Sequence, residues 1–314
     1  MKRQFLKALF GFLALFGIAG AGSLRAQTMP QSYSILVGFP AGGQTFLQAQ
    51  TFAKELEEVL KVKVVCEAMP GAGGIIPLNR VHGASQVDNQ IIFGSVASVT
   101  GQLMNPVPWD LVRDFDLLSL SLQNPVYIVV RKSLGVKNIE EFDRYVKANP
   151  GKVNYGSAGT GTFTTAYAEH YAKLMGWKTE SIQYKGSNFT TEALIKSEVD
   201  YIATGFWPEA QQLQQNGHGV ILFNSSKNRH NGIPAVTKPG IEGSIYIGMF
   251  VVSKKMRPEI KDTLTKALVE VHKRLVTNTP PIVKDNLLPE PVLGAKLVEF
   301  IENDFKTQRA MFNK

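Results

Sequence analysis

A chain of 314 residues, 44% of them apolar and 19% charged, carries enough apolar material for a sizeable core and does not read as disordered. The formal charge is +8, but Lys2, Arg3, Lys7 and Arg25 all fall in the first 26 residues, and the remaining excess of about +4 is scattered rather than banded, which argues against a nucleic-acid surface and mildly favours anionic small molecules. Cys66 is the only cysteine, so no internal disulfide forms, and its place after Val62, Val64 and Val65 predicts a small buried apolar side chain.

In chain order, the basic start, the apolar run Ala8 to Ala19 and the small residues Ala19-Gly20-Ala21 predict an export signal over residues 1–26, cleaved after Ala21 or Ala26. The apolar core of this segment is shorter than the roughly 20 residues a membrane helix needs. The rest is long enough for two lobes. Tyr33 to Phe39 reads as a strand, Pro40-Ala41-Gly42-Gly43 as a turn, and Ala49, Phe52, Ala53, Leu56, Val59 and Leu60 as one face of a helix. The scheme repeats: Lys61 to Cys66, the turn Pro70-Gly71-Ala72-Gly73-Gly74, a helix through Val81, and a strand Gln90 to Phe93 ending at Gly94-Ser95.

A second series begins at Val153. Its strand reaches Tyr155, its turn is Gly156-Ser157-Ala158-Gly159-Thr160-Gly161-Thr162, and its helix carries Tyr167, Ala168, Tyr171, Leu174 and Met175. Ser181 to Tyr184, the turn Lys185-Gly186-Ser187, a helix Thr190 to Lys196 and a strand Val199 to Thr204 follow. Alternating strands and helices predict an α/β protein with a mostly parallel sheet in each lobe. Pro125 to Arg131 and Ile245 to Ser253 read as hinge strands, giving one lobe from 27–124 plus 246–314 and the other from 125–245. Stripes at Ile260, Leu264, Ala267, Leu268, Val271 and Leu275, and at Leu297, Ile301 and Phe305, predict a helical tail packed on the first lobe.

Glycine turns between a strand and a helix N-terminus expose unpaired backbone N–H groups to the positive end of the helix dipole, an arrangement that binds anions. Ligands of open α/β sheets sit beyond the carboxyl ends of the strands. Here that edge holds Phe39 to Phe46, Ser95 to Ser98, Ser157 to Thr162 and Tyr184 to Ser187, with hydroxyls at Ser95, Ser98, Ser157, Thr160 and Thr162. Any one such turn is equally a tight connection with no ligand. Nucleotide motifs fail: no turn ends in Gly-Lys-Ser/Thr, and Thr164 or Ile76 stands where a dinucleotide fingerprint needs its third glycine. The five histidines are dispersed without metal spacing, and Tyr155 replaces the first glycine of a Gly-x-Ser-x-Gly elbow at Ser157. No catalytic residue, metal or cofactor is expected.

Phe39-Pro40-Ala41-Gly42-Gly43, Pro70-Gly71-Ala72-Gly73-Gly74, Arg113-Asp114-Phe115, Asn154-Tyr155-Gly156-Ser157-Ala158-Gly159 and Tyr184-Lys185-Gly186-Ser187, in this order, resemble the Bug receptor family, the solute-binding subunits of tripartite tricarboxylate transporters. The resemblance implies a two-lobe, type II periplasmic binding protein that closes on a small carboxylate in the periplasm and delivers it to membrane permease subunits, a non-enzymatic receptor expected to be a monomer. It implies a first clamp of Ala41, Gly42, Gly43, Gln44 and Thr45, a second of Ser157, Ala158, Gly159, Thr160, Gly161 and Thr162, and cleft walls at Phe39 and Tyr184. The family usually carries an aspartate where this chain has Phe46, and an acid where it has Thr204-Gly205-Phe206-Trp207. An ammonium group would lose its partner there. The expected ligand is therefore a carboxylate that needs no amine, with an apolar or aromatic body for Phe46, Phe206 or Trp207 to touch, unless those rings only pack in the hinge and core. An exported hydrolase using the same cleft, or a ligand sensor, are the alternatives.

Overall fold

The structure, a computed structural model, describes residues 29–236 and 245–312, so the expected export signal lies outside the described residues. Strand, glycine turn and helix succeed one another from the start: β1 (Ser32–Val37) and α1 (Gln44–Leu60), β2 (Lys63–Ala68) and α2 (Ile76–Gly83), β3 (Gln90–Ser95) and α3 (Ala97–Met104). Pro77 sits in the first turn of α2, where a missing N–H costs nothing. A short helix α4 (Leu111–Asp114), capped by the Asp110 carboxylate, leads into the long strand β4 (Phe115–Pro125). Beyond Val126 come β5 (Tyr127–Arg131), α5 (Ile139–Ala148), β6 (Val153–Ser157), α6 (Phe163–Met175), β7 (Thr179–Gln183), α7 (Ser187–Ile195), β8 (Tyr201–Thr204), α8 (Trp207–Gln215) and β9 (Gly219–Asn224). The chain then returns through β10 (Ile245–Ser253), α9 (Pro258–Thr277), β11 (Leu287–Val292) and α10 (Gly294–Phe312).

Two sheets result, a six-stranded one in the order β11-β4-β10-β3-β1-β2 and a five-stranded one in the order β7-β6-β8-β5-β9. As expected, most strands of each sheet point the same way, β1 to β4 in the first and β6 to β9 in the second. Helical crossovers make β1 parallel to β2 and β3, and β6 parallel to β7 and β8, but β10 and β11 run antiparallel to their neighbours in the first sheet and β5 does so in the second. The physical reason at β5 is that it follows β4 of the opposite sheet through Val126 alone, with no helical crossover between them. β10 pairs along its whole length with β4, so it belongs to the first sheet and is not itself a crossing strand. The forward crossing is at Val126, between β4 and β5.

Burial on both faces explains the near-continuous apolar runs. Tyr127 and Val129 of β5 face one core, built with Leu194, Ile202, Trp207 and Ile221, while Ile128 and Val130 face another. Phe250 of β10 meets Phe52 of α1 and Phe93 of β3 edge-on, each at 5.1 Å between centroids, and this aromatic group anchors the first sheet. The α9 stripe Ile260, Leu264, Leu268, Val271 and Leu275 is buried as its spacing requires. The C-terminal helix α10 packs on β4 and α3 and also touches α6 of the second sheet.

Candidate functional site

The glycine turns of the two sheets meet. A Cβ placed on Gly73 would lie 2.6 Å from the Gly161 carbonyl oxygen, and one on Gly186 would lie 3.3 Å from the Pro40 ring, so the turns after β2 and β1 touch those after β6 and β7. Between them lies a small inner pocket with about 30 Å³ of room, lined by Phe39, Pro40, Gly43, Gln44 and Thr45 from one sheet and by Ala158, Thr162, Thr164, Gly186, Ser187 and Ala203-Thr204-Gly205 from the other. It shares Phe39, Pro40, Ala158 and Thr162 with an outer cleft of about 740 Å³, walled by Pro70 to Gly74, Gly159, Thr160, Gln183, Tyr184, Lys185 and Phe189. Among the described residues, neither space is lined by an Asp, Glu or His, and Lys185 is the one charged lining residue.

Two helices begin at the inner pocket without a side-chain cap. α1 starts after Gly43 and α7 after Gly186, and because glycine offers no oxygen to the first-turn N–H groups, both termini present donors and partial positive charge from opposite sheets to one small space. The third helix, α6, differs: the Thr162 hydroxyl accepts from the Thr165 N–H, so its terminus is already served.

Most hydroxyls here are turned inward. Ser157 Oγ is fully buried, 2.7 Å from Thr165 Oγ1 and 2.8 Å from Gln183 Oε1, and accepts from the Gly159 N–H at 3.2 Å. It shapes the turn from beneath. Thr162 Oγ1 donates to the Gly159 carbonyl at 2.9 Å. Thr204 Oγ1 donates to Glu209 Oε2 at 2.6 Å and accepts from the Phe206 N–H, while Thr191 Oγ1 donates to Glu209 Oε1. Burial pushes the Glu209 carboxyl above its usual range, and the two hydroxyls pull it partly back. Burial, with Glu198 nearby, also raises the Tyr184 phenol.

Of the residues expected from sequence, Phe39, Gly43, Gln44, Thr45, Ala158, Gly159, Thr160, Thr162 and Tyr184 line the two spaces. Others do not. Ala41 and Gly42 face solvent on the outer side of their turn. Ser95 and Ser98 are buried, the former accepting from the Ala97 N–H. Gly161 carries the contact with Gly73. Phe46 is only 8% exposed and packs in the core of the first sheet, because it lies in the first turn of α1 with its side chain rotated away from the pocket that Gln44 and Thr45 line. Phe206 is the N-cap residue of α8, outside the linings, and Trp207 packs against Tyr127 with the rings tilted and their centroids 5.4 Å apart. Unanticipated are the wall at Ala203-Thr204-Gly205, Pro70 to Gly74 as cleft lining, and Phe189. Strand β8 ending at a glycine beside a helix start was the available signal for the first of these.

Among the described residues, no group of three or more His, Cys, Asp or Glu is placed to hold a metal, and no helix is long and apolar enough to cross a membrane. Residues 48–286 match the family model described as the tripartite tricarboxylate transporter family receptor. The chain is 25% identical over 326 residues to a Cupriavidus necator protein from the gbd 5′ region, covering 100% of this chain and 98% of that one. It is 28% identical over 241 residues to protein BugT of Bordetella pertussis, covering 75% and 73%. In fold it is similar to MatC from Rhodopseudomonas palustris with bound malate, with a TM-score of 0.78 at 20% identity over 89% and 98% of the chains. A second R. palustris protein, solved with adipate, gives 0.80 at 18% identity over 90% and 98%.

Proposed function

Because the chain belongs to the tripartite tricarboxylate transporter receptor family, we propose that its inner pocket captures the carboxylate group of a small organic acid while the outer cleft holds the body of the ligand. The observation that carries this reading is the convergence of two uncapped helix termini, from opposite sheets, on a pocket that no acidic side chain lines among the described residues. Each terminus contributes about 0.3–2 kcal/mol toward an anion, and hydrogen bonds to a charged acceptor add about 1.5–3 kcal/mol each. Donors supplied by both lobes reward the closed state, so ligand drives closure. The malate and adipate bound by the two R. palustris proteins are carboxylates of the same class.

With no acid among the described residues that line the pocket, an ammonium group finds no counter-charge from them, and the ligand needs none. Phe39, Tyr184 and Phe189 around the outer cleft favour an apolar or aromatic body, a role reassigned from Phe46 and Phe206. We assign the protein to the periplasm, exported by residues 1–26 and acting as a monomer that presents its closed form to membrane permease subunits. A receptor role, not hydrolysis, fits the cleft: no histidine lines it, and Ser157 Oγ is held in internal bonds. Calorimetric titration with amino acids and their deaminated counterparts tests the reading. Binding of the deaminated acids is expected; tight binding of glutamate or aspartate, with none of the counterparts, overturns it.

A further inference from the structure

Gln44 differs from the rest of the inner pocket because its side chain ties the lobes together. Its Nε2 donates to the carbonyl oxygen of Gly205, 161 residues away, at 3.0 Å, and the Asn124 Nδ2 donates to the same oxygen at 2.6 Å. A carbonyl oxygen only accepts, so both amides must turn their NH₂ groups toward it, and the orientation of Gln44 is fixed by chemistry. The two lone pairs of Gly205 are then filled, and that carbonyl has nothing left for a ligand.

The consequence falls on the other end of the amide. Gln44 Oε1 has no hydrogen-bond partner among the described residues, and the side chain that carries it lines the pocket. Around it, the hydroxyls of Thr162 and Thr204 are already donating to Gly159 and Glu209. An acceptor held in place beside an anion site repels a second oxygen anion and requires a donor. Ammonium is a poor candidate: no acid lines the pocket among the described residues, and both oxygens of the nearby Glu209 are taken by Thr191 and Thr204. A neutral hydroxyl fits, because it donates to Oε1 without bringing a charge that needs neutralising.

We propose that Gln44 is a specificity-determining residue that selects carboxylates bearing a hydroxyl next to the carboxyl group over the same acids without it. This rests on the carboxylate-receptor reading and narrows it to hydroxy acids. An unmet buried acceptor typically costs a factor of about 5 to 100 in affinity, which sets the expected discrimination.

The test is calorimetry on the purified receptor with matched pairs: L-malate and succinate, L-lactate and propionate, mandelate and phenylacetate. At least one hydroxy acid is expected to bind about 5- to 100-fold more tightly than its partner, and in Gln44→Met the ratio is expected to fall to about 1. The variant also loses the bond to Gly205, but that loss weakens both members of a pair alike, so the ratio reports on Oε1 alone. Equal affinities within every pair in the unaltered protein, or a ratio that survives in Gln44→Met, overturn the assignment and leave the receptor reading standing. If no carboxylate binds at all, in these pairs or in a wider thermal-shift screen, both fall together.

Discussion

Gly73 holds a position that no other residue type fills without moving the backbone. Its φ of +66° is strained for a side-chain-bearing residue, at a cost of about 1–2 kcal/mol, and a Cβ there would press to 2.6 Å on the Gly161 carbonyl of the opposite lobe. Gly73→Ala is therefore expected to hold the cleft ajar, lowering carboxylate affinity about 10-fold or more and removing the ligand-induced compaction seen by small-angle scattering. Unchanged affinity and compaction would show that these turns separate in the ligand-bound state. Phe46 teaches the converse at the same scale. Sequence spacing places it one residue beyond Thr45, but a helix turns 100° per residue, and the side chain that begins α1 in the clamp is followed two positions later by one in the core. Linear motifs identify which turn forms the site and not which way each side chain points.

At the scale of elements, the N-terminus of α1 is open because Gly43 supplies no cap. Gly43→Asp places a carboxylate where the ligand carboxylate is proposed to sit. Folding stability is expected to stay within about 1 kcal/mol of the native value, since an acidic cap favours the helix while the new Cβ crowds the Pro40 carbonyl at 3.2 Å. Binding is expected to vanish, and full affinity in the variant would sink the anchoring role of α1. A different ledger governs α10, where burial raises the Asp304 carboxyl to about 6, against the hydrogen bond from Gln308 Nε2 at 2.7 Å. Gln308 Oε1 in turn accepts from Thr100 of α3 at 2.6 Å. The folded protein holds this proton more tightly than the unfolded chain, so the stability it contributes is complete below about pH 4 and is lost as pH rises through about 6. Asp304→Asn is expected to match the native melting temperature near pH 4 and exceed it above about pH 6.5; parallel curves across that range would refute the raised carboxyl.

The helical stripes of α1, α6 and α9 were legible because a 3.6-residue period is strong over three or more turns. β4 was largely missed: Ser119 and Ser121 look like surface positions, yet both are fully buried, their hydroxyls 3.0 Å apart with one donating to the other. The reversed directions of β5, β10 and β11 were equally hidden, since strand direction depends on where a strand comes from in space, which no local pattern records.

For the whole molecule, the proposed closure turns about the places where the chain passes between sheets, and the described passage, at Val126, is fastened to the end of β9. The Val126 N–H donates to Ser225 Oγ at 2.8 Å, and the Ser225 N–H donates to the Val126 carbonyl at 2.8 Å. Val126 follows β4 and Ser225 follows β9, so the outgoing chain is tied to the second sheet at the point where it enters it. Both residues are fully buried, so Ser225→Ala strands the Val126 N–H without solvent at a cost of about 1–3 kcal/mol, lowering the melting temperature of the ligand-free protein. A joint held by one bond instead of two also lets the open form sample more orientations, all of which are surrendered on closing. Affinity is therefore expected to fall several-fold although Ser225 touches neither pocket, with the loss appearing in the entropy of binding and an enlarged radius of gyration before ligand is added. A lower melting temperature with unaltered affinity would mean that the paired bonds stabilise the fold without governing how the lobes meet.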